Sequence, residues 1–111
     1  MNVSEFCVIR PHNQLDSLGG QDIKQQISAI AGQKFPLWII DMSEVEFIDS
    51  SGLGALIVAQ KTARQQGCRI VLCHLSGATR MIFEITQLDR VFEIVDELDQ
   101  VISDSQPLLS A

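Results

Sequence analysis

The chain has 111 residues, 46% of them hydrophobic and 20% charged, with a formal net charge of −6. One domain of this size can bury a core without metals or disulfides, and so high an apolar content excludes a disordered chain. Eight scattered Lys and Arg residues against fourteen acids argue against a nucleic-acid partner, because neutralising phosphates takes clustered cations.

Phe6-Cys7-Val8-Ile9, closed by Pro11, is the first short unbroken apolar run. Ile23, Ile27, Ile30 and Ala31 then recur at helical spacing, with Lys24, Gln25 and Gln26 facing out. Leu37-Trp38-Ile39-Ile40, entered through Pro36, is the second run, and its tryptophan, the only one in the chain, is expected in the core. Leu53, Leu56, Ile57 and Ala63 make a second helical stripe, with Gly67 as its stop. Ile70-Val71-Leu72-Cys73 is the third run, followed by a third stripe of Ala78, Met81, Ile82 and Ile85, of which Met81, Ile82 and Ile85 are expected to pack in the core. Phe92-Glu93-Ile94-Val95 is a fourth run interrupted by Glu93, as suits an edge strand. A last short helix is predicted from about Asp96 to Ile102, with Leu98, Val101 and Ile102 apolar.

Apolar runs without polar alternation are expected of strands covered on both faces, and strand–helix alternation implies right-handed crossovers within one sheet. The predicted fold is therefore α/β, a single mainly parallel sheet of about four strands with about four helices. Residues 1–104 are expected to form the domain and 105–111 a flexible C-terminal tail.

Charge is unevenly placed. Residues 1–83 hold seven acids and seven bases, whereas Glu84, Asp89, Glu93, Asp96, Glu97, Asp99 and Asp104 face only Arg90. Cys7, Cys68 and Cys73 form an odd set without metal-ligand spacing, and Cys7 and Cys73 lie inside apolar runs, where buried free thiols belong. With no signal peptide, no lipidation motif and no apolar run near about 18 residues, the expected setting is cytoplasmic, with no membrane partner.

Residues 41–54 read Asp41-Met42-Ser43-Glu44-Val45-Glu46-Phe47-Ile48-Asp49-Ser50-Ser51-Gly52-Leu53-Gly54 and lead from the second strand into the second helix. Asp49, Ser50 and Ser51 are all favourable N-caps, which is explanation enough for their presence. The same geometry places a seryl hydroxyl beside free backbone N–H groups and the positive end of a helix dipole, where a phosphate would be stabilised. Such a group brings about −1.5 to −2 charges. It would join Glu44, Glu46 and Asp49 in a stretch with no Lys or Arg between Lys34 and Lys61.

This stretch, as Asp-x-Ser-x-Val-x-Phe-Ile-Asp-Ser-Ser-Gly-Leu-Gly, resembles the signature of the STAS domain, specifically of the bacterial anti-sigma factor antagonists. The resemblance runs from about Phe6 to Ile102. It includes Leu15-Asp16 after the first strand, Ile70-Val71-Leu72-Cys73 after the signature helix, and Met81-Ile82-Phe83 in the next helix. It implies a STAS-like binding module with no catalytic residues, no cofactor and no metal. It implies that Ser50 is phosphorylated by a partner anti-sigma factor with serine kinase activity, which releases the partner, and that a PP2C-type phosphatase restores binding. Asp16, Asp49, Ser50, Ser51, Gly52, Leu53 and Gly54 would then form the partner-binding corner. The chain departs from the family's usual pattern at Asn13-Gln14, where Gly-Glu is common, and at Gln87-Leu88, where many members have Gly-Leu. Residues 1–4 are too short for the extra N-terminal edge strand of several members.

Other chemistries fit the residues less well. Ser50 follows Asp49 and lacks the Gly-x-Ser-x-Gly elbow, leaving His12 and His74 as the only general bases for a hydrolase. Asp41, Glu44, Glu46 and Asp49 lack calcium-loop spacing, and no phosphate-cradling Gly-x-x-x-x-Gly-Lys motif occurs. A phospho-aspartate receiver, with Asp41 or Asp49 as acceptor, lacks its strand-end lysine. The competing expectation is an unswitched STAS scaffold inside a larger complex, stressosome-like or accessory to a transporter.

Overall fold

The computed structural model describes residues 6–33, 35–97 and 99. In chain order its elements are β1 (Cys7–Ile9), β2 (Asn13–Leu15), α1 (Ser17–Ala31), β3 (Leu37–Asp41), β4 (Val45–Ile48), α2 (Ser50–Gln65), β5 (Arg69–Cys73), α3 (Gly77–Ile85), a 3₁₀ turn over Leu88–Arg90, and β6 (Glu93–Val95). The four apolar runs become one parallel sheet in the order β1-β3-β5-β6, with β6 at the edge as Glu93 predicted. The predicted α/β class, with its mainly parallel sheet, is the class observed. Of the helix predicted over 96–102, only residues 96, 97 and 99 are described, and the tail over 105–111 falls outside the described residues.

Central β3 shows why the apolar runs carry no polar alternation: all five of its residues are buried. Trp38 and Ile40 point to the face covered by Ile23 and Ile27 of α1, Leu56, Ala59 and Ala63 of α2, and Phe83 of α3. Leu37 and Ile39 point the other way, joining Val71 and Cys73, with Phe6 and Val95 packed against them. Each fully buried side chain of this kind contributes about 1.5–3 kcal/mol, so the two-sided burial of β3 and β5 dominates the core. Gly67, at φ 69°, takes the left-handed conformation that stops α2.

Two expectations need correction. First, β2 and β4 form a second, two-stranded parallel pair that no apolar run announced. In β4 only Val45 and Ile48 are buried, while Glu46 and Phe47 are exposed, so it lacks the strand period of two. Second, Met81 and Ile85 do not pack in the core; they are 58% and 74% exposed. Helical residues advance by about 100° each, so burying Phe83, two positions from both, turns them outward. Phe83 wins that place because it meets Phe92 edge to face, with ring centroids 5.7 Å apart. Thr79, one turn earlier, is the other buried residue of α3.

Past α3, Gln87 sits at φ 62°. A left-handed conformation costs a side-chain-bearing residue roughly 1–2 kcal/mol. Gln87→Gly should therefore raise unfolding free energy by about 1 kcal/mol, after glycine's larger unfolded-state entropy is deducted. Urea unfolding followed by the fluorescence of buried Trp38 measures it.

Arg69 and Glu93 tie β5 to β6. The Arg69 Nε–H donates to Glu93 Oε1 at 2.9 Å, and a terminal guanidinium nitrogen donates to Oε2. These bonds hold the Glu93 carboxyl below the usual glutamate range, outweighing its partial burial. A depressed carboxylate adds stability above its unfolded pKa and loses it as pH falls through the folded value. Carboxyl NMR titration should thus place the Glu93 midpoint below that of ordinary glutamates. Arg69→Met should return it to their range, and added salt should narrow the difference because the pair is partly exposed.

Candidate functional site

Two strand–Asp–helix junctions lie side by side. β2 passes through Asp16 into α1, and β4 passes through Asp49 into α2, with Leu15 and Ile48 in register. Each aspartate is an N-cap: Asp16 Oδ1 accepts from the Gly19 N–H at 3.1 Å, and Asp49 Oδ1 from the Gly52 N–H at 3.0 Å. Capping satisfies one of the orphan donors that begin a helix and leaves the neighbouring amides facing outward. Two helices thus present their N-terminal, electropositive ends at one corner.

The junctions are held together by backbone. The Leu15 carbonyl accepts from the Asp49 N–H at 3.2 Å. A Cβ at position 52 would meet that carbonyl oxygen at 2.0 Å, so only glycine lets α2 approach β2 this closely. Gly52 is therefore buried beneath the corner, whereas Ser50 and Ser51 are exposed on its surface. Leu53 is half-buried and packed against the main core. Gly54 has open space where a side chain would stand.

Beside Ser51 a groove of about 390 Å³ runs between α1 and α2, lined by Ser17, Gly20, Gln21, Lys24, Gly54 and Val58 as well. Lys24 corrects the all-acidic picture of this region: the cation missing from residues 35–60 is supplied by the neighbouring helix. Spacing gave no sign of it, because the adjacency of α1 and α2 is a tertiary fact. The acidic stretch is also dispersed. Arg10 Nε–H donates to Asp41 Oδ2 at 2.9 Å, at the end of β3, and His12 Nδ1 lies 2.8 Å from Glu44 Oε1. Burial pushes the Asp41 carboxyl up, but the Ser43 N–H and Arg10 outweigh it and hold the group below the usual aspartate range. His12 lies against Glu44, and His74 stands with Asp41 and Cys73.

The sequence profile of the STAS domain matches residues 2–101. The chain belongs to the STAS domain family. An anti-sigma-B factor antagonist of Listeria monocytogenes is 32% identical over 81 residues, which cover 73% of this chain and 71% of that protein. A sulfate transporter family protein of Wolinella succinogenes superposes with a TM-score of 0.83 at 16% identity, covering 96% of this chain and 88% of that one. The anti-sigma factor antagonist SpoIIAA in its unphosphorylated form gives 0.69 at 24% identity, covering 94% and 91%. Bacillus SpoIIAA in the phosphorylated form gives 0.67 at 24%, covering 91% and 92%. STAS anti-sigma factor antagonists are regulatory binding proteins without enzymatic activity, which disposes of the hydrolase alternative. Among the described residues, no helix is long and apolar enough to cross a membrane.

Within this STAS domain the buried and exposed residues of the corner should separate cleanly on mutation. Gly52→Ala should destabilise by about 3 kcal/mol or more, since the added methyl collides with backbone that cannot yield. Asp49→Ala and Asp16→Ala should each cost about 1 kcal/mol as lost N-caps. Ser50→Ala should stay within about 0.5 kcal/mol of the parent, as exposed substitutions usually do. Chemical denaturation of the four variants checks this order.

Proposed function

We propose that this STAS domain is an anti-sigma factor antagonist that acts in the cytoplasm. Unphosphorylated, it binds an anti-sigma factor with serine kinase activity at the corner formed by Asp16, Asp49, Ser50, Ser51, Leu53 and Gly54, with Gly52 setting the height of α2 beneath them. Phosphorylation of Ser50 by that partner ends the contact, and a PP2C-type phosphatase restores it. The observation that carries this is an exposed Ser50 in the first turn of α2, beside the N-terminus of α1. The antagonist relative from Listeria and the two phosphorylation states of SpoIIAA support it.

The physics favours a switch in binding rather than in folding. Amides at the head of α2 and the helix dipole stabilise a phosphate on Ser50, so the domain keeps its fold. A docked partner meets the cost instead, as new bulk and about two added negative charges at the contact. A loss of about 2–3 kcal/mol weakens binding roughly thirty- to hundredfold or more.

The likeness to a sulfate transporter family protein favours a second reading, an unswitched scaffold within a larger complex. Incubation with ATP and the serine kinase encoded nearest to this chain separates the two. The switch gains one phosphate by mass spectrometry, Ser50→Ala abolishes it, and Ser50→Asp weakens calorimetric binding to the kinase at least thirtyfold. No phosphate, with binding indifferent to Ser50→Asp, decides for the scaffold.

A further inference from the structure

At the carboxyl ends of β3 and β5, on the sheet face opposite α1, α2 and α3, three side chains of different chemistry converge. Asp41 and Cys73 are register partners, so they stand side by side on one face. Residue 74 would point to the opposite face if the strand continued. His74 instead takes φ 60°, a left-handed conformation uncommon for a residue with a side chain. With the chain so turned, one donor atom each from Asp41, Cys73 and His74 lies within 4.8 Å of the other two.

The setting suits a cation. Asp41 is 4% exposed and Cys73 fully buried, and a carboxylate so placed needs a positive partner. Arg10 fills that role through Oδ2, while Oδ1 accepts from the Ser43 N–H at 3.0 Å. The Arg10 side chain is 46% exposed, so the guanidinium can move to solvent without unpacking the core. Thiolate, imidazole and carboxylate together are the donors of zinc, whereas magnesium and calcium take oxygen alone. Donors around a tetrahedral zinc stand about 3.5 Å apart, so separations of up to 4.8 Å must shorten as the cation binds.

We propose that Asp41, Cys73 and His74 form a three-ligand site for a zinc-type divalent cation, which replaces the Arg10 guanidinium at Asp41. On binding, the Cys73 thiol gives its proton to solvent and its sulfur bonds the metal, with water in the fourth position. The site stands independently of the Ser50 switch, and it could not be found by ligand spacing, since the residues come from two strands far apart in sequence.

The test is titration of the reduced, metal-free 111-residue chain with Co²⁺, read by the sulfur-to-cobalt charge-transfer band, and with Zn²⁺ in competition against a chromophoric chelator. One equivalent should bind with the thiolate band present. Cys73→Ser should remove the band, and His74→Ala should weaken affinity more than about tenfold, the lower bound for changes that only touch a ligand's support. Arg10→Met should tighten binding several-fold by removing the competing cation. The double variant Cys7→Ser/Cys68→Ser should keep the band, a check that does not depend on how Cys73→Ser folds. Absence of the band in the parent chain, its loss in the double variant, its survival in Cys73→Ser, or full affinity in His74→Ala would overturn the site.

Discussion

Everything at the candidate corner depends on one backbone contact, the carbonyl of Leu15 against the head of α2. The oxygen accepts from the Asp49 N–H and leaves no room for a Cβ at position 52. That contact fixes β2 beside β4 and brings the two capped helix ends into line. A single methyl would push them apart, and with them the exposed serines and Asp16. The aspartates on either side do local work, each closing its own helix. Gly52 is what makes two ordinary helix starts into one surface.

The same contact bears on how a surface so modestly charged would serve the proposed charge-based switch. The excess of acids lies beyond residue 83, in the part of the chain that holds only Arg90 as counterweight. Near the corner, Asp41 is paired with Arg10, Glu44 lies against His12, and Lys24 lines the groove beside Ser51. Helix-end amides, Asp16, Asp49 and Lys24 together shape the local field, and a phosphate would change it by more than any one side chain already there. Net charge bears on solubility and says little about this corner.

How much of this was legible in the sequence follows from what each residue senses. The two-sided burial of β3 and β5 leaves unbroken apolar runs, so those strands and the sheet are plain, as is Trp38 in the core. Asp49, Ser50 and Gly52 are legible as a helix start because capping is local chemistry. The β2–β4 pair is not, since strands of three and four residues with exposed Gln14, Glu46 and Phe47 carry no period. Met81 and Ile85 misled because a helical stripe gives a face without saying which face the fold covers; Phe83 and its ring contact with Phe92 decided that. Lys24 was read as merely outward, and outward on α1 proves to be toward the groove it shares with α2.

The Asp41 cluster and the Ser50 corner occupy the two ends of one short connection, β4 and the turn before it, yet they are mechanically separable. Asp41 holds that turn through Oδ1, which accepts from the Ser43 N–H, and the Met42 carbonyl accepts from the Val45 N–H at 3.0 Å. The exchangeable partner, Arg10, sits on Oδ2. A cation that replaced Arg10 would thus leave intact the bonds that launch β4. At the far end, β4 is pinned independently by its register with β2 and by the Leu15 carbonyl. Coupling between distant sites requires an element with two arrangements that both sites bias. A strand held at both ends by backbone hydrogen bonds offers only one, so events at Asp41 should not reach Ser50 through β4.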